Sequence, residues 1–358
     1  MSRLRLAVIG TGALGRHHAR ILSNMPDVEL VAAVDPNETN GRAVADACHT
    51  QWLLEYGSLW GRIDAAVVVV PTSLHLAVAR DFISRGISLL VEKPLAGTAL
   101  QGRELVDLSR RHHTILQVGH VERFNPAIQT VWKNVDAPRY IRAERLSPYS
   151  FRSIDIGVTH DLMIHDLDLL LSQVSAPLRK IEAWGICLMG GREDVVQARL
   201  VFENGCIADL SASRVHPEAR RAFHVWSAQG CISADLNSKK VTRYAVTPSL
   251  MYGRSPVEQA RDAGADISLL KQQVFDKWIE VTELDVPEQD ALTAELSHFL
   301  KCVRTGETPL VDGEQGLRAL ELAEQIVAAV DAHQWDGDSQ GRVGPHLLPF
   351  ELPERRAA

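Results

Sequence analysis

Five short apolar runs divide the first 120 residues, and each is followed by glycine, proline or a charged residue. The runs are Leu4–Ile9, Val28–Val34, Ala65–Val70, Ser88–Val91 and Ile115–Val118. Segments with helical periodicity lie between them, up to about Asn24 and near residues 38–48, 73–85 and 98–111. Continuous apolar strands that alternate with helices are typical of a parallel sheet covered on both faces. The pattern predicts a doubly wound α/β domain over residues 1–121.

After residue 121 the apolar runs become short and are interrupted by polar residues, as in strands with one covered face. The pattern predicts helices at Pro126–Asn134 and Thr159–Gln173, and two amphipathic helices near residues 292–303 and 317–330. Strands are predicted at Tyr140–Leu146, Ile181–Leu188, Val195–Phe202, Cys206–Ser213, Ala222–Ala228 and Cys231–Leu236. Residues 122–332 are therefore expected to form an α+β domain with an open, mainly antiparallel sheet. Residues 245–285 show no clean period, and residues 333–358 are expected to be an irregular tail.

The turn after the first strand carries a phosphate-binding motif. G-x-G-x-x-G occupies residues 10–15, as Gly10, Thr11, Gly12, Ala13, Leu14 and Gly15. Gly10 permits a tight turn, Gly12 lets the backbone approach a pyrophosphate, and Gly15 lets the helix pack on the sheet. The amides of the helix N-terminus then face the phosphates. Because the motif follows a strand and opens a helix, it predicts a dinucleotide-binding Rossmann domain.

Asp35 ends the second predicted strand, where a carboxylate accepts hydrogen bonds from the hydroxyls of an adenine ribose. A carboxylate there repels a 2′-phosphate, so we expect NAD rather than NADP. The alternative is a solvated turn aspartate, since Asp35 precedes Pro36 and Asn37.

Two further strand ends carry polar side chains. Lys93, between Glu92 and Pro94, follows the fourth run, and ligands bind beyond the carboxyl ends of parallel strands. We expect Lys93 to point at the cofactor, with Glu92 holding its ammonium by charge; the alternative is a surface salt bridge. Pro71, Thr72, Ser73 and His75 close the third run in the same way. Thr72 or Ser73 can cap the next helix, which leaves His75 unexplained by capping.

A predicted helix of the second domain is apolar almost all round except for Asp161, His165 and Asp168. At about 100° per residue these three side chains fall on one stripe. Buried charges need partners or a function, and a histidine suits a general base. Asp161, one turn away, is expected to orient the ring of His165. The alternatives are a structural hydrogen-bond network or a metal site, and we expect no metal because no further ligand cluster is evident.

The segment from Gln117 to Pro126 leaves the last strand of the first domain and is expected to line the cleft between the domains. Arg123 is a candidate for a substrate phosphate and Asn125 for a substrate hydroxyl, although Asn125 before Pro126 also fits a helix cap. The pairs His17–His18 and His112–His113 are interpreted as residues of helix surfaces.

Composition narrows the function. The net charge is −7 and basic residues form no long run, which argues against a nucleic-acid partner. The five cysteines are widely scattered and odd in number, as expected of reduced thiols in the cytoplasm. No segment has the uninterrupted apolar length of a membrane helix or of a signal peptide. We therefore expect a cytoplasmic protein with no membrane partner.

In these motifs and their spacing, the sequence resembles the glucose–fructose oxidoreductase, inositol dehydrogenase and rhizopine catabolism (Gfo/Idh/MocA) family. The resemblance implies a Rossmann domain, an α+β domain whose sheet contacts other subunits in a homodimer or homotetramer, and oxidation of a sugar or cyclitol hydroxyl. It implies that Lys93 is the catalytic lysine, with Asp161 and His165 as its partners. All three are also expected to bind substrate, together with Arg123 and Asn125. The expected cofactor-binding residues are residues 10–15, Asp35, Pro71, Thr72, His75, Glu92 and Lys93.

Within that family, the segments Val70–His75, Gln117–Ala127, Asp161–Asp168 and Gly306–Ile326 are similar to members that oxidise UDP-N-acetylglucosamine at C3 for amino-sugar lipid A synthesis. This similarity implies a nucleotide-sugar substrate. The alternatives are another enzyme of the same fold, acting on a free sugar, inositol or another small molecule, and a non-catalytic NAD-binding regulator. Whether Lys93 or His165 is the base stays open at this stage.

Overall fold

The computed structural model describes residues 3–151, 155–335 and 342–344. Its first six strands form one parallel sheet in the order β3-β2-β1-β4-β5-β6. The strands are β1 (Leu4–Ile9), β2 (Val28–Val34), β3 (Gln51–Leu53), β4 (Ala65–Val68), β5 (Ser88–Glu92) and β6 (Leu116–Gly119). The order reverses between β1 and β4, which creates a crevice at their carboxyl ends. The predicted doubly wound domain is confirmed.

Helices cover both faces of this sheet. They are α1 (Gly15–Ser23), α2 (Glu38–Ala47), α3 (His75–Ile83) and α4 (Ala99–His112). Successive residues of β1 enter opposite cores: Ala7 and Ile9 enter one apolar cluster, Leu6 and Val8 the other. Because each face is buried, every position of the strand from Leu6 onward is apolar, and this accounts for the apolar run in the sequence.

The second sheet has nine strands, in the order β14-β13-β12-β11-β7-β10-β9-β8-β15. They are β7 (Tyr140–Leu146), β8 (Leu178–Ile186), β9 (Val195–Phe202), β10 (Ile207–Ser213), β11 (Arg220–Ser227), β12 (Gly230–Asp235), β13 (Lys240–Val246), β14 (Ile279–Leu284) and β15 (Arg342–Val343). All neighbours are antiparallel except β7 with β10 and β8 with β15. The predicted open, mainly antiparallel sheet is confirmed.

Two helices pack against one face of this sheet. They are α5 (Pro126–Lys133) and α6 (Ile164–Leu171). A π-helical turn at Thr159–Met163 leads into α6. The prediction of a single α-helix over residues 159–173 is therefore wrong in its first turn. Leu167 and Leu170 of α6 pack into the same core as Ile141 of β7 and Val225 of β11.

Residues 245–285, which show no clean period, contain three short helices between the last long strands. They are α7 (Pro248–Met251), α8 (Pro256–Ala260) and α9 (Ile267–Gln273). Large apolar side chains here, such as Tyr252 and Phe275, are exposed. Helices this short have no room for an apolar stripe, which explains the missing period.

The last two helices, α10 (Ala291–Thr305) and α11 (Gly313–Ala332), join the two sheets. Leu296 and Phe299 of α10 pack with Leu6 and Val8 of the first sheet, so the core of that domain includes residues well beyond 121. Helix α11 contacts α4, α6 and β8. Residues 342–343 pair with β8, whereas most of the predicted irregular tail lies outside the described residues. No helix in the described part of the chain is long and apolar enough to cross a membrane.

Candidate active site

The glycine-rich turn leaves room for a ligand above its middle residue. Gly10 has φ +94°, and a Cβ there would lie 2.5 Å from the carbonyl oxygen of Val69; a Cβ on Gly15 would lie 1.9 Å from the carbonyl oxygen of Gly10. These two glycines are required by the turn itself. A Cβ on Gly12 would meet nothing within 4 Å, and Ala13 and Leu14 are exposed beside it. No side chain caps α1 within the described residues, so its first amides stay available to phosphate oxygens.

Asp35 lies beside this turn at the end of β2. Its Oδ2 accepts hydrogen bonds from the amide (2.7 Å) and the hydroxyl (2.8 Å) of Thr11, and its Oδ1 accepts from the amide of Asn37 at 2.8 Å. A carboxylate has about four lone-pair positions, so Oδ1 can accept one more bond. Thr11 therefore acts by holding Asp35, and the pair fits a ribose hydroxyl at this edge of the sheet.

Lys93 connects the two domains. Its Nζ donates to the carbonyl oxygen of Asp161 at 2.6 Å and to Oδ1 of the same residue at 3.1 Å. Lys93 follows β5, whereas Asp161 lies in the π-helical turn before α6. An ammonium group has three N–H donors, so one is left to meet a substrate oxygen. The structure thus brings together Lys93, Asp161 and, one turn further along the chain, His165.

The predicted stripe of Asp161, His165 and Asp168 does not exist as one unit. In a π-helical turn, residues four apart no longer stack as they do in an α-helix, and Asp161 binds Lys93 instead of orienting His165. Asp168 pairs with Arg123 on the buried side of α6. The expectation that Asp161 orients the histidine ring is therefore wrong.

His165 has no hydrogen-bond partner among the described residues, and its Nδ1 is buried. Burial holds the pKa of His165 well below its usual range, and the positive charges of Lys93 and Arg145 add to the effect. The ring is therefore neutral at neutral pH and able to accept a proton. Its edge-to-face neighbour is His120, with ring centroids 6.1 Å apart.

Glu92 does not hold the ammonium of Lys93, contrary to expectation. Its Oε1 accepts from Nε2 of His18 at 2.8 Å, and its Oε2 accepts from the backbone amide of Lys93 at 3.2 Å. His18 is fully buried, so the interpretation of that residue as part of a helix surface is wrong, whereas His17, His112 and His113 are exposed. Glu92 thus holds the backbone of Lys93 through this amide. A Cβ on Gly119 would lie 2.9 Å from the Glu92 carboxyl carbon, which is why β6 ends in glycine.

His75 is buried beneath the loops that follow β4 and β5. Its Nδ1 lies 2.9 Å from the carbonyl oxygen of Pro94, and its Nε2 lies 3.0 Å from that of Val70. Direct contact with the cofactor is excluded by this burial, so His75 positions the loop of Lys93. Pro71 is exposed and Thr72 half-buried at the rim, in a 3-10 turn. No hydroxyl caps α3, contrary to expectation for Thr72 and Ser73.

Both expected substrate contacts from the cleft segment, Arg123 and Asn125, already have partners within the fold. Arg123 donates to Oδ1 of Asp168 at 3.2 Å, to the carbonyl oxygen of Leu310 at 3.1 Å and to Oε1 of Gln315 at 2.9 Å. Asn125 caps α5 through Oδ1 and donates to Glu122 from Nδ2, and it is buried. Both residues bond to structural elements of the fold, and their assignment to substrate binding stays a prediction.

A second charged network, which sequence reasoning missed, lies behind His165. Arg145 of β7 binds Asp166 through two hydrogen bonds (2.7 and 3.0 Å) and Glu122 at 2.8 Å, and all three are buried. Arg221 of β11 donates to the same Glu122 at 3.2 Å. Burial alone would raise the pKa of Glu122, but the two guanidinium groups outweigh it and lower the pKa. The signal in the sequence that could have revealed this network is Arg145, a charged residue within the predicted strand Tyr140–Leu146.

The parallel sheet, the open glycine-rich turn and the lysine at its rim define an NAD-binding oxidoreductase. The chain belongs to the Gfo/Idh/MocA oxidoreductase family. Residues 4–120 match the family model described as "Oxidoreductase family, NAD-binding Rossmann fold", and residues 128–233 match the model of the family's C-terminal domain. No group of three or more His, Cys, Asp or Glu residues in the described ranges is arranged to hold a metal ion.

Two relatives bear on the substrate. A UDP-N-acetylglucosamine 3-dehydrogenase of Acidithiobacillus ferrooxidans is 32% identical over 93% of this chain and 99% of its own. Its solved structure has a TM-score of 0.79, covering 92% of this chain and 98% of that one. The scyllo-inositol 2-dehydrogenase (NAD(+)) of Bacillus subtilis is 26% identical over 86% of this chain and 89% of its own. The chain is thus an enzyme, a dehydrogenase similar to others that act on a CH–OH group.

Proposed function

We propose that this enzyme oxidises UDP-N-acetylglucosamine at the 3-hydroxyl to the ketone, with NAD as cofactor. The observation that carries the proposal is the contact between Lys93, at the rim of the cofactor sheet, and Asp161, four residues before the neutral His165. Similarity to a UDP-N-acetylglucosamine 3-dehydrogenase supports the choice of substrate.

Oxidation of the 3-hydroxyl removes one proton and one hydride, and His165 and Lys93 have different roles in this reaction. His165 takes the proton of the hydroxyl, because its pKa is low enough to keep the ring neutral in the resting enzyme. Lys93, paired with Asp161, donates its remaining N–H to the oxygen and stabilises the developing negative charge. NAD, when bound at the glycine-rich turn, supplies the acceptor for the hydride that leaves the carbon. The pairing of Lys93 with a carboxylate thus favours His165 as the base.

Arg221 is a further candidate for the phosphate contact that the sequence suggested for Arg123. Three cations act on His165, namely Lys93, Arg145 and Arg221. The side chain of Arg145 is 3% exposed and that of Lys93 is 15% exposed, whereas that of Arg221 is 48% exposed. A guanidinium pairs bidentately with phosphate oxygens. We assign the diphosphate of the substrate to Arg221, so that the remote UDP group places the sugar at His165.

The direct test is an assay with UDP-N-acetylglucosamine, NAD and a carbonyl trap, followed by mass spectrometry. Trapping is needed because oxidation of a secondary alcohol by NAD is unfavourable near neutral pH. The expected product is a trapped ketone whose hexosamine ring has lost two hydrogens. If free sugars or inositols reduce NAD readily while no nucleotide-sugar ketone is trapped, the substrate assignment is wrong and the oxidoreductase class stands.

Replacing Arg221 with alanine is expected to raise KM for the nucleotide sugar at least tenfold, the scale of one charge-assisted hydrogen bond, and to leave KM for NAD unchanged. Arg220 offers a matched control, because it lies next to Arg221 on β11 but pairs with Glu144. Steady-state kinetics of both alanine variants give the comparison. An equal change in KM for the nucleotide sugar in the two variants would mean that Arg221 does not bind the substrate.

Replacing Asp35 with serine is expected to narrow the preference for NAD over NADP. The carboxylate of Asp35 faces the ribose position and repels a 2′-phosphate, whereas serine keeps a hydrogen bond without the charge. Dissociation constants for both cofactors, measured by fluorescence titration, give the ratio. Equal affinity of the unmodified enzyme for NAD and NADP would show that Asp35 does not select the cofactor.

We further propose that the enzyme works in the cytoplasm as a homodimer or homotetramer through the open face of the second sheet. Its five cysteines are free thiols, as reducing conditions require. The open face carries the aromatic cluster of Tyr140, His224 and Trp226, flanked by the ion pair of Arg199 and Asp209. Aromatic residues and arginine are enriched at protein interfaces. Light scattering of the purified protein is expected to give a mass of two or four chains.

A further inference from the structure

A second histidine lies against the catalytic one. His120 follows β6 and is completely buried, yet neither of its ring nitrogens has a hydrogen-bond partner within residues 3–151, 155–335 and 342–344. Buried polar groups are almost always hydrogen-bonded, and an exception needs an explanation. A buried phenylalanine would fill such a site without cost, so the nitrogens of His120 need a role.

The geometry supplies that role. The rings of His120 and His165 meet edge to face, with centroids 6.1 Å apart and planes at 88°. Nδ1 of His165 is also buried and without a partner in the described part of the chain. The two rings are too far apart for a direct hydrogen bond, and a polar contact at such a distance is commonly bridged by water. Three buried nitrogens with no partner among the described residues therefore belong to two neighbouring rings.

We propose that His120 is a positioning residue for His165, acting through one bound water. The water accepts the Nδ1 proton of His165 and donates to a ring nitrogen of His120. This fixes His165 in the tautomer whose Nε2 is free to take the proton of the substrate. The inference rests on the proposed function, in which His165 is the base.

The surrounding charges keep both rings in the required state. His120 faces Lys93, which follows β5, and Arg123 of its own turn; His165 faces Lys93, Arg145 of β7 and Arg221 of β11. All of these are cations. Burial lowers the pKa of His120 to about 3, and Lys93 and Arg123 contribute to the shift. A neutral His120 retains the lone pair that accepts from the water, and a protonated one would lose it.

The first test needs no substrate. Nitrogen-15 spectra of the histidine-labelled protein report the tautomer of each ring, and the His165→Gln variant identifies the signals of His165. In the unmodified protein we expect His165 as a single neutral tautomer protonated at Nδ1. In His120→Phe, which keeps an aromatic ring but no nitrogen, we expect a mixture of tautomers. If His165 keeps a single unchanged tautomer in His120→Phe, the proposal is wrong. If that variant fails to fold, the unmodified protein still decides, because protonation of His165 at Nε2 would also contradict the proposal.

The second test is kinetic. His120→Phe is expected to lower kcat about 10- to 100-fold, the range for groups that orient a metal-bound histidine. It should leave KM nearly unchanged and shift the acidic limb of the pH–rate profile. One of His120→Asn and His120→Gln, whose amides approach the Nδ1 and Nε2 positions, should recover part of the loss. His112→Phe, at an exposed histidine of α4, is the matched control.

The two tests separate the two proposals. If no nucleotide sugar is oxidised, the substrate assignment fails, and any alcohol that is turned over can replace it in the kinetic comparison. If kcat and its pH profile are unchanged in His120→Phe while the protein turns over its substrate normally, the water-bridged pair is wrong and the proposed function stands.

Discussion

Replacing Lys93 with alanine is expected to lower kcat by about 10²-fold or more, the usual contribution of a positioned acid–base group. In the proposed reaction the ammonium of Lys93, which is held at the site by Asp161, stabilises charge that develops on the substrate oxygen. Replacing His165 with alanine should cost a similar factor, because it removes the group that takes the proton of the hydroxyl. Steady-state kinetics with a trapped product measure both effects.

The control for this prediction is Lys180→Ala, which removes an exposed lysine paired with Glu182 on β8 and should leave kcat unchanged. Binding of NAD should survive in His165→Ala, because His165 belongs to the second domain. Near-normal turnover in His165→Ala would mean that His165 has only a structural role. Near-normal turnover in Lys93→Ala would mean that its contact with Asp161 serves only to join the domains.

The strands of the first sheet were predictable because both of their faces are buried. The runs Leu4–Ile9 and Val28–Val34 match β1 and β2 residue for residue, since each strand is apolar except at its second residue and is followed by Gly10 or Asp35. Strand β3 was missed because three residues at the edge of a sheet, Gln51–Leu53, form no apolar run. A strand that is buried on both faces thus gives an apolar run in the sequence, whereas a short strand at the edge of a sheet does not.

The place of Lys93, Asp161 and His165 in the candidate site was predictable, but their partners were not. A helical stripe assumes the α-helical period, and the π-helical turn at Thr159–Met163 breaks that assumption before it reaches His165. Composition gives no signal for such a turn. Lys93 from the other domain takes Asp161 as its partner, so His165 is left to interact with His120.

Substrate contacts are hard to predict from the sequence for a related reason. Arg123 lies in the cleft segment as expected, but its guanidinium binds Asp168, 45 residues away, and Gln315, 192 residues away. A motif shows which side chains stand near a cleft. It does not show which of them the fold uses for its own ion pairs. Arg221, in a strand with no motif, is instead the exposed cation.

The second large effect is expected from Arg145, where replacement by methionine should lower the free energy of unfolding by about 3–5 kcal/mol. Arg145 is the shared partner of Glu122 and Asp166, and methionine fills most of its volume without its charge. Two buried carboxylates would then lie together without the cation between them. Removing one member of a buried ion pair costs more than the pair itself contributes, because the remaining charge stays desolvated. Denaturant unfolding at neutral pH measures the loss.

Arg199 provides the matched control. It lies in the same sheet, on β9, and binds Asp209 through two hydrogen bonds (2.7 and 2.8 Å), yet its side chain is 54% exposed. Exposed pairs are screened by solvent, so Arg199→Met should change stability little. A similar loss in both variants would show that sheet packing, rather than buried charge, explains the effect.

The deficit of Arg145→Met should also depend on pH, with a sign that follows from Glu122. In the unmodified protein the folded-state pKa of Glu122 lies below its usual range: burial opposes this, but Arg145 and Arg221 together outweigh burial. Glu122 therefore adds stability above the unfolded pKa, and that stability is lost as the pH falls through the folded pKa. Without Arg145, burial raises the folded-state pKa of the carboxylates, and the variant loses stability as the pH rises. The gap between the two proteins should therefore be widest near neutral pH and narrow towards pH 5. A gap that stays constant over this range would mean that neither carboxylate titrates with folding, and that the cost of the substitution lies in packing alone.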